Sequence, residues 1–281
     1  MVAMAIDYSS TERIVELSFG KLDKSSARLD FPKPGTLSLC FNKLVKDAGT
    51  TPPTLPHQNC AMLASAGVEM WHRSIHSFLW SLALTEGSPL WAAVSGYYAS
   101  HFTMRAFAHS MGIFKSFTQK KEIQVVIQKG NFVCTLSNSQ LGEHAFYWKA
   151  VKGKLYDNPL FHENNERDMK SDSAHRTFAN YTDHVDSFAP MKLPALETVA
   201  ESVEKISRIR LHSVTSPSRE DFPDLQNVQI LAFQRIVAFH DFLDTRVSKN
   251  RFWRAHRRPD WCKSVMLYQV DDQGLEQINV S

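Results

Sequence analysis

The chain has 281 residues, 43% of them hydrophobic and 22% charged, with a formal net charge of +3. These proportions exclude a disordered or fibrous chain and leave room for one large domain or two modest ones. The charge balance is too mild to name a nucleic-acid partner by itself, because that inference needs basic groups clustered in one place.

Residues 1–59 mix short apolar runs with turn signals and are expected to form an irregular segment and linker. It ends in "AGTTPPTLPHQN", where three prolines within five residues preclude regular helix. The opening "MVAMAIDYSSTERIVEL" lacks a basic stretch followed by an apolar one, and acids appear at Asp7 and Glu12, so no signal peptide is expected. No uncharged apolar run reaches the roughly 18 residues of a membrane span. Cys40, Cys60, Cys134 and Cys262 are scattered without a C-x-x-C pair, as suits thiols in a reducing compartment. The expectation is a cytoplasmic protein with no membrane partner.

A helical body is expected over residues 60–250. Residues 61–84 contain no proline and a single glycine, with apolar side chains on nearly every side, and so predict a first core helix. "TEGSP" breaks it, and Pro89 suits the first turn of a second helix. On a wheel of 100° per residue, that helix places Leu90, Val94, Tyr97, His101, Met104, Arg105 and Ala108 on one stripe, with Tyr98 and His109 at its edge. Tyr97, His101, Arg105 and His109 are therefore expected to form a structural polar pocket. An unpaired buried guanidinium costs several kcal/mol, so Arg105 must meet a carboxylate, carbonyls or other polar groups.

After Gly112 the apolar period becomes two. Ile123, Val125 and Ile127 alternate with Gln124, Val126 and Gln128, "KGN" turns the chain, and Phe132, Cys134 and Leu136 alternate in reply. This predicts a β-hairpin. With a third strand in "HAFYWKAV", residues 120–152 are expected to form a small antiparallel sheet inserted in the helical body. The polar stretch 156–194 reads as a long loop with one short helix over 174–185. Further helices are expected over 196–214 and 225–247, separated by "SPSREDFPD", with Asp224 able to cap the second. Residues 251–281 form a basic, aromatic C-terminal segment.

"SGYYASHFTMRAFAHSMGI" resembles the second helix of the HEPN family, helical domains connected with nucleotides and RNA. Tyr97, Tyr98, Ala99, Phe102, Arg105 and Ala106 follow its "YYAxFhxARALL" pattern in order. The likeness extends over residues 61–247 and implies a mainly α, HEPN-like helical bundle, from which the inserted antiparallel sheet is a departure. It further implies an RNA-binding homodimer with no cofactor, able to act as a metal-independent endoribonuclease in a toxin or phage-defence system.

The same resemblance implies an Arg and a His four to six residues apart on a late helix. Histidine can move a proton near neutral pH while arginine holds the phosphate and its developing charge. "ISRIRLH" offers Arg208 and His212, one residue short of the family spacing, with Arg210 on the apolar side. Its ordinary alternative is a solvated face on which Glu204 and Arg208 pair at i, i+4. "RFWRAH" has the spacing in Arg251 and His256. Around it, from Arg246 to Lys263, stand seven basic residues (Arg246, Lys249, Arg251, Arg254, Arg257, Arg258 and Lys263) and one acid, Asp260, interleaved with Phe252, Trp253 and Trp261. Basic groups neutralise phosphates and aromatic rings stack on bases, so Arg210, Arg246, Lys249, Trp253, Arg254, Arg257 and Arg258 are the expected RNA contacts. Arg105 with His109 ranks last as a catalytic pair. The alternative to RNA chemistry is a non-catalytic helical module that binds a protein partner or nucleotide.

His72 and His76 lie i, i+4 on the first core helix but have no third ligand in sight, and no metal site is expected. "HENNERD" lacks the spacing of a calcium loop. No phosphate-binding glycine loop, dinucleotide fingerprint or serine-nucleophile elbow occurs.

Overall fold

The structure is a computed structural model that describes residues 9–24, 36–47, 53–55, 57–85, 87–116, 120–128, 131–155, 159–161, 164–165, 170–171 and 227–257. Its helices are α1 (Ser9–Lys24), α2 (Thr36–Asp47), α3 (His57–Ala83), α4 (Pro89–Ser110), α5 (Glu143–Lys154), α6 (Asn227–Val247) and α7 (Arg251–His256). The strands are β1 (Ile113–Ser116), β2 (Lys121–Gln128), β3 (Asn131–Asn138), β4 (Asn164–Asn165) and β5 (Lys170–Ser171). The described residues are mainly helical, with a three-stranded antiparallel sheet of order β1-β2-β3 and a separate β4-β5 pair. The expected helices over 174–185 and 196–214 lie outside the described residues.

The chain divides into two compact units. The first comprises Met1–Met70, Met104–Asn158 and Leu243–Arg257, and the second Trp71–Thr103, Pro159–Phe242 and Arg258–Ser281.

In the first unit, β2 and β3 form the hairpin that the alternation predicts, with Val125 opposite Cys134 and Ile123 opposite Leu136. One sheet face carries Ile123, Val125, Phe132 and Cys134 into a core shared with Phe41, Leu55, Cys60, Leu63 and Phe114. The edge of β3 is partly covered. Leu55 N–H donates to the Phe132 carbonyl at 2.8 Å and Cys134 N–H to the Pro53 carbonyl at 2.9 Å, so residues 53–55 bridge to β3 through Thr54 opposite Val133. Burial pushes the Cys134 thiol up to about 12, which makes it a packing group and not a nucleophile.

Two features differ from the sequence reading. Residues 1–59 hold α1 and α2, so they are not irregular throughout. The segment "HAFYWKAV", expected as a strand, is part of α5, and the third strand is β1, paired to β2 with Phe114 opposite Ile123. The Phe-Tyr-Trp run favours strand, but it lies within a helix that buries Phe146, Tyr147, Trp148 and Val151 together. Glu143 in the first turn and Lys152 and Lys154 in the last also oppose the helix dipole correctly.

Gly112 turns the chain from α4 into β1 at φ +77°, accepting at its carbonyl from Val125 N–H at 2.8 Å. A Cβ there would lie 2.8 Å from the Val125 Cβ. Gly112→Ala is expected to cost about 2 kcal/mol or more, from left-handed strain and overpacking together, as a lower urea midpoint.

The second unit is held by polar stitches between small residues. Ser74 Oγ donates to the Ala99 carbonyl and Ser81 Oγ to the Ala92 carbonyl, both at 2.6 Å, which brings the α3 and α4 segments of this unit close. Gln229 Nε2 of α6 donates to the Ser81 carbonyl at 3.0 Å and to Thr85 Oγ1 at 2.8 Å. Trp71, fully buried, donates its Nε1–H to the Ile236 carbonyl at 3.0 Å and lies 6.1 Å from the Phe239 ring.

Candidate functional site

The basic segment begins at the end of α6 and continues through α7. Asn250 caps α7: its Oδ1 accepts from Trp253 N–H at 2.9 Å, while its Nδ2 donates to the Phe19 carbonyl of α1 at 2.8 Å. One asparagine thus starts the helix and ties it to the unit. Trp253 is fully buried, and its Nε1–H donates to Asp244 Oδ1 at 3.0 Å. The same oxygen lies 3.6 Å from Arg257 Nη1. Phe252 packs its ring 6.5 Å from that of Phe19.

With that side of α7 anchored, Lys249, Arg251 and Arg254 are exposed, while Arg246 and Arg257 are partly buried. Thirteen consecutive residues, from Thr245 to Arg257, contain these five cations and no acid. Trp253 does not belong with the groups that could meet a base, since its indole is inside the protein. The two members of the Arg251 and His256 pair are five positions apart, which on an α-helix separates them by about 140° around the axis. His256 Nδ1 donates to the Phe252 carbonyl at 2.8 Å, and its ring stacks on Phe252 at 4.2 Å. Arg208, Arg210, His212 and Arg258 lie outside the described residues.

The expected polar pocket along α4 falls in two places. Tyr97 and His101 belong to the second unit, where both are buried and their rings stack at 6.3 Å, and Arg105 and His109 belong to the first. Arg105 finds the carboxylate it requires: its Nη1 lies 2.5 Å from Glu143 Oε1 of α5. Its guanidinium sits 5.3 Å over the Tyr147 ring. His109 is buried edge-on to Tyr147 at 5.5 Å, and its Nδ1 donates to the Ile113 carbonyl at 3.3 Å. Burial above all, and the charge of Arg105 next, push His109 down to about 3, against the hydrogen bond to Ile113. Burial likewise pushes the Tyr147 phenol up to about 12.

No family model matches this chain, and neither does any curated protein or solved structure. His109 stays neutral across the physiological range and Tyr147 stays protonated, which describes a joint between α4 and α5 better than an acid–base centre. Replacing Glu143 by Ala is expected to lower stability by about 1–2 kcal/mol, because both side chains of the pair keep some contact with water; thermal melting at pH 7 measures it.

Sequence reasoning missed Glu143 and Tyr147 as partners of Arg105 because their segment reads as a strand. It also missed Arg235, buried in the second unit, whose Nε donates to the Leu160 carbonyl at 2.7 Å and whose Nη1 donates to Ser100 Oγ at 2.9 Å. Among the described residues no group of three His, Cys, Asp or Glu side chains could hold a metal, and no helix is long and apolar enough to cross a membrane.

Proposed function

We propose that the chain is a HEPN-like RNA-binding protein whose phosphate-contacting surface is the exposed face of α7 and the turn before it. The observation that carries this reading is the acid-free run from Thr245 to Arg257, with Lys249, Arg251 and Arg254 exposed on a helix fixed from behind by Trp253 and Asn250. A rigid array of cations neutralises phosphates without ordering long side chains from a floppy segment, and reads no sequence. The pattern on α4 that resembles HEPN helices points to the same class of partner.

Binding is favoured over cleavage, because α7 presents Arg251 and His256 in different directions. A metal-independent cut through this pair needs the histidine of one copy beside the arginine of another, which gives the homodimer a chemical purpose. Fluorescence anisotropy with a labelled single-stranded RNA tests the binding. Three phosphate contacts predict that log K falls against log salt with a slope of about −2. Lys249→Glu with Arg254→Glu should flatten that slope and weaken binding about 100-fold at low salt. Binding that ignores both salt and the double reversal would remove the proposal.

A second reading, a helical module for a protein partner, is favoured by Trp80, Leu90 and Trp91, which stand 53%, 38% and 49% exposed in the second unit. Association through such an apolar patch would survive the salt that releases phosphate contacts.

A further inference from the structure

Apart from the basic helix, the first unit contains an open groove of about 220 Å³ between the sheet and α5. It lies on the sheet face opposite the core. The strand register sets Glu122 opposite Ser137 and Gln124 opposite Thr135, so these four polar side chains share that face. Lys149 and Lys154 of α5 form the facing wall, and Phe146 with Ile113 supplies an apolar floor.

The charges are what make this more than a crevice. Neither Lys149, Lys154 nor Glu122 has an ion-pair partner among the described residues, although salt bridges form elsewhere in the same unit. Lys115 stands opposite Glu122 in the register but is buried, its Nζ donating to Ser139 Oγ and the Leu141 carbonyl, so the charges lining the groove are two ammonium groups on one wall and one carboxylate on the other, which complement a molecule that carries both signs. The volume is below the ~300–1,000 Å³ typical of clefts for drug-sized ligands, which confines the occupant to a small molecule.

We propose that this groove binds a small zwitterion of the amino-acid type, its carboxylate toward Lys149 and Lys154, its ammonium toward Glu122, and an apolar side chain on Phe146 and Ile113. Opposite charges at the two ends fix the ligand's direction, and charge-assisted hydrogen bonds give each end its own contribution. Phe146 is 3% exposed and Lys115 Nζ lies 5.5 Å from the centre of its ring, so a ligand's ring would meet it by edge contact.

The test is a protein-detected NMR titration of the full chain with three probes: L-phenylalanine, 3-phenylpropionate, which lacks the ammonium group, and 2-phenylethylamine, which lacks the carboxylate. L-phenylalanine is expected to bind with Kd of about 1 mM, as befits a ligand of a dozen heavy atoms. Each single-charge analogue should bind about tenfold more weakly. Glu122→Gln should weaken L-phenylalanine about tenfold and leave 3-phenylpropionate unchanged, while Lys149→Gln with Lys154→Gln should do the reverse with 2-phenylethylamine as the insensitive probe.

Gly153 lines the groove, and a Cβ there meets nothing within 4 Å. Gly153→Leu therefore fills the groove while raising helix propensity, and should abolish binding without lowering the melting temperature. Absence of saturable shifts at about 10 mM L-phenylalanine overturns the proposal. So does equal affinity for all three probes, or binding that persists in Gly153→Leu. The charge variants lie on the surface and keep the proposal falsifiable should the leucine variant misfold.

Discussion

Acidification from neutral pH to about pH 3 should remove on the order of 5 kcal/mol of stability through His109 alone. The folded protein holds this imidazole neutral, with its proton affinity lowered to about 3, whereas the unfolded chain releases it to the ordinary value of 6.5. Between those values the unfolded state binds a proton that the folded state refuses, so stability falls with falling pH throughout that window. Each pH unit is worth about 1.4 kcal/mol, and the loss is complete only below the folded value. Above pH 6.5 the residue contributes no pH dependence. His109→Gln should abolish this part of the acid limb, so urea midpoints measured from pH 7 to pH 4 would run nearly parallel for other groups but diverge by the histidine's share. An identical acid limb in wild type and variant would show that the imidazole is hydrated and not buried. Tyr147 gives the mirror case. Its phenol resists ionisation up to about 12, so stability should fall as pH rises above 10, and Tyr147→Phe should lack that fall.

His109 also shows how much the sequence could say. The wheel put it at the edge of an apolar stripe and identified Arg105 as a group that needs a carboxylate, but nothing local could name Glu143, which arrives from α5 after an intervening sheet. Short-range signals worked where the period was strong. Alternation of Ile123, Val125 and Ile127 located β2, and "KGN" located its turn, because side-chain period and turn chemistry are encoded within a few residues. They failed at α5, where three adjacent aromatics raise strand propensity and only the end charges, Glu143 in the first turn and Lys152 and Lys154 in the last, betray a helix. They failed again at α1 and α2, where the turn residues around short apolar runs outweighed the helical period. The basic run after Thr245 was legible as charge, yet which aromatics it exposes was not, since the orientation of α7 is set by ties such as Asn250 to the Phe19 carbonyl and Trp253 to Asp244.

Trp253→Ala should lower stability by about 3–5 kcal/mol, the range for deleting a large buried aromatic side chain. The substitution removes the indole from its pocket and leaves Asp244 without the Nε1–H that it accepts at 3.0 Å. Trp253→Phe keeps most of the apolar volume and loses only that hydrogen bond, so it should cost about 1–2 kcal/mol. The pair of variants separates two roles for the residue. A tryptophan that stacks on a base contributes to RNA affinity and little to folding, so both variants would weaken binding while melting like wild type. A tryptophan that anchors α7 contributes to folding, and affinity then follows only through the cations it holds in place. Trp253→Phe should accordingly bind single-stranded RNA within about twofold of wild type, with the same salt slope, because Lys249, Arg251 and Arg254 are untouched. Trp253→Ala should keep that slope too, but bind more weakly, since the cations are then ordered at the expense of binding energy. Reversed order, with affinity collapsing in the Phe variant and stability intact, would mean that α7 swings out to offer its indole, and the anchored-helix description of the interface would have to be given up.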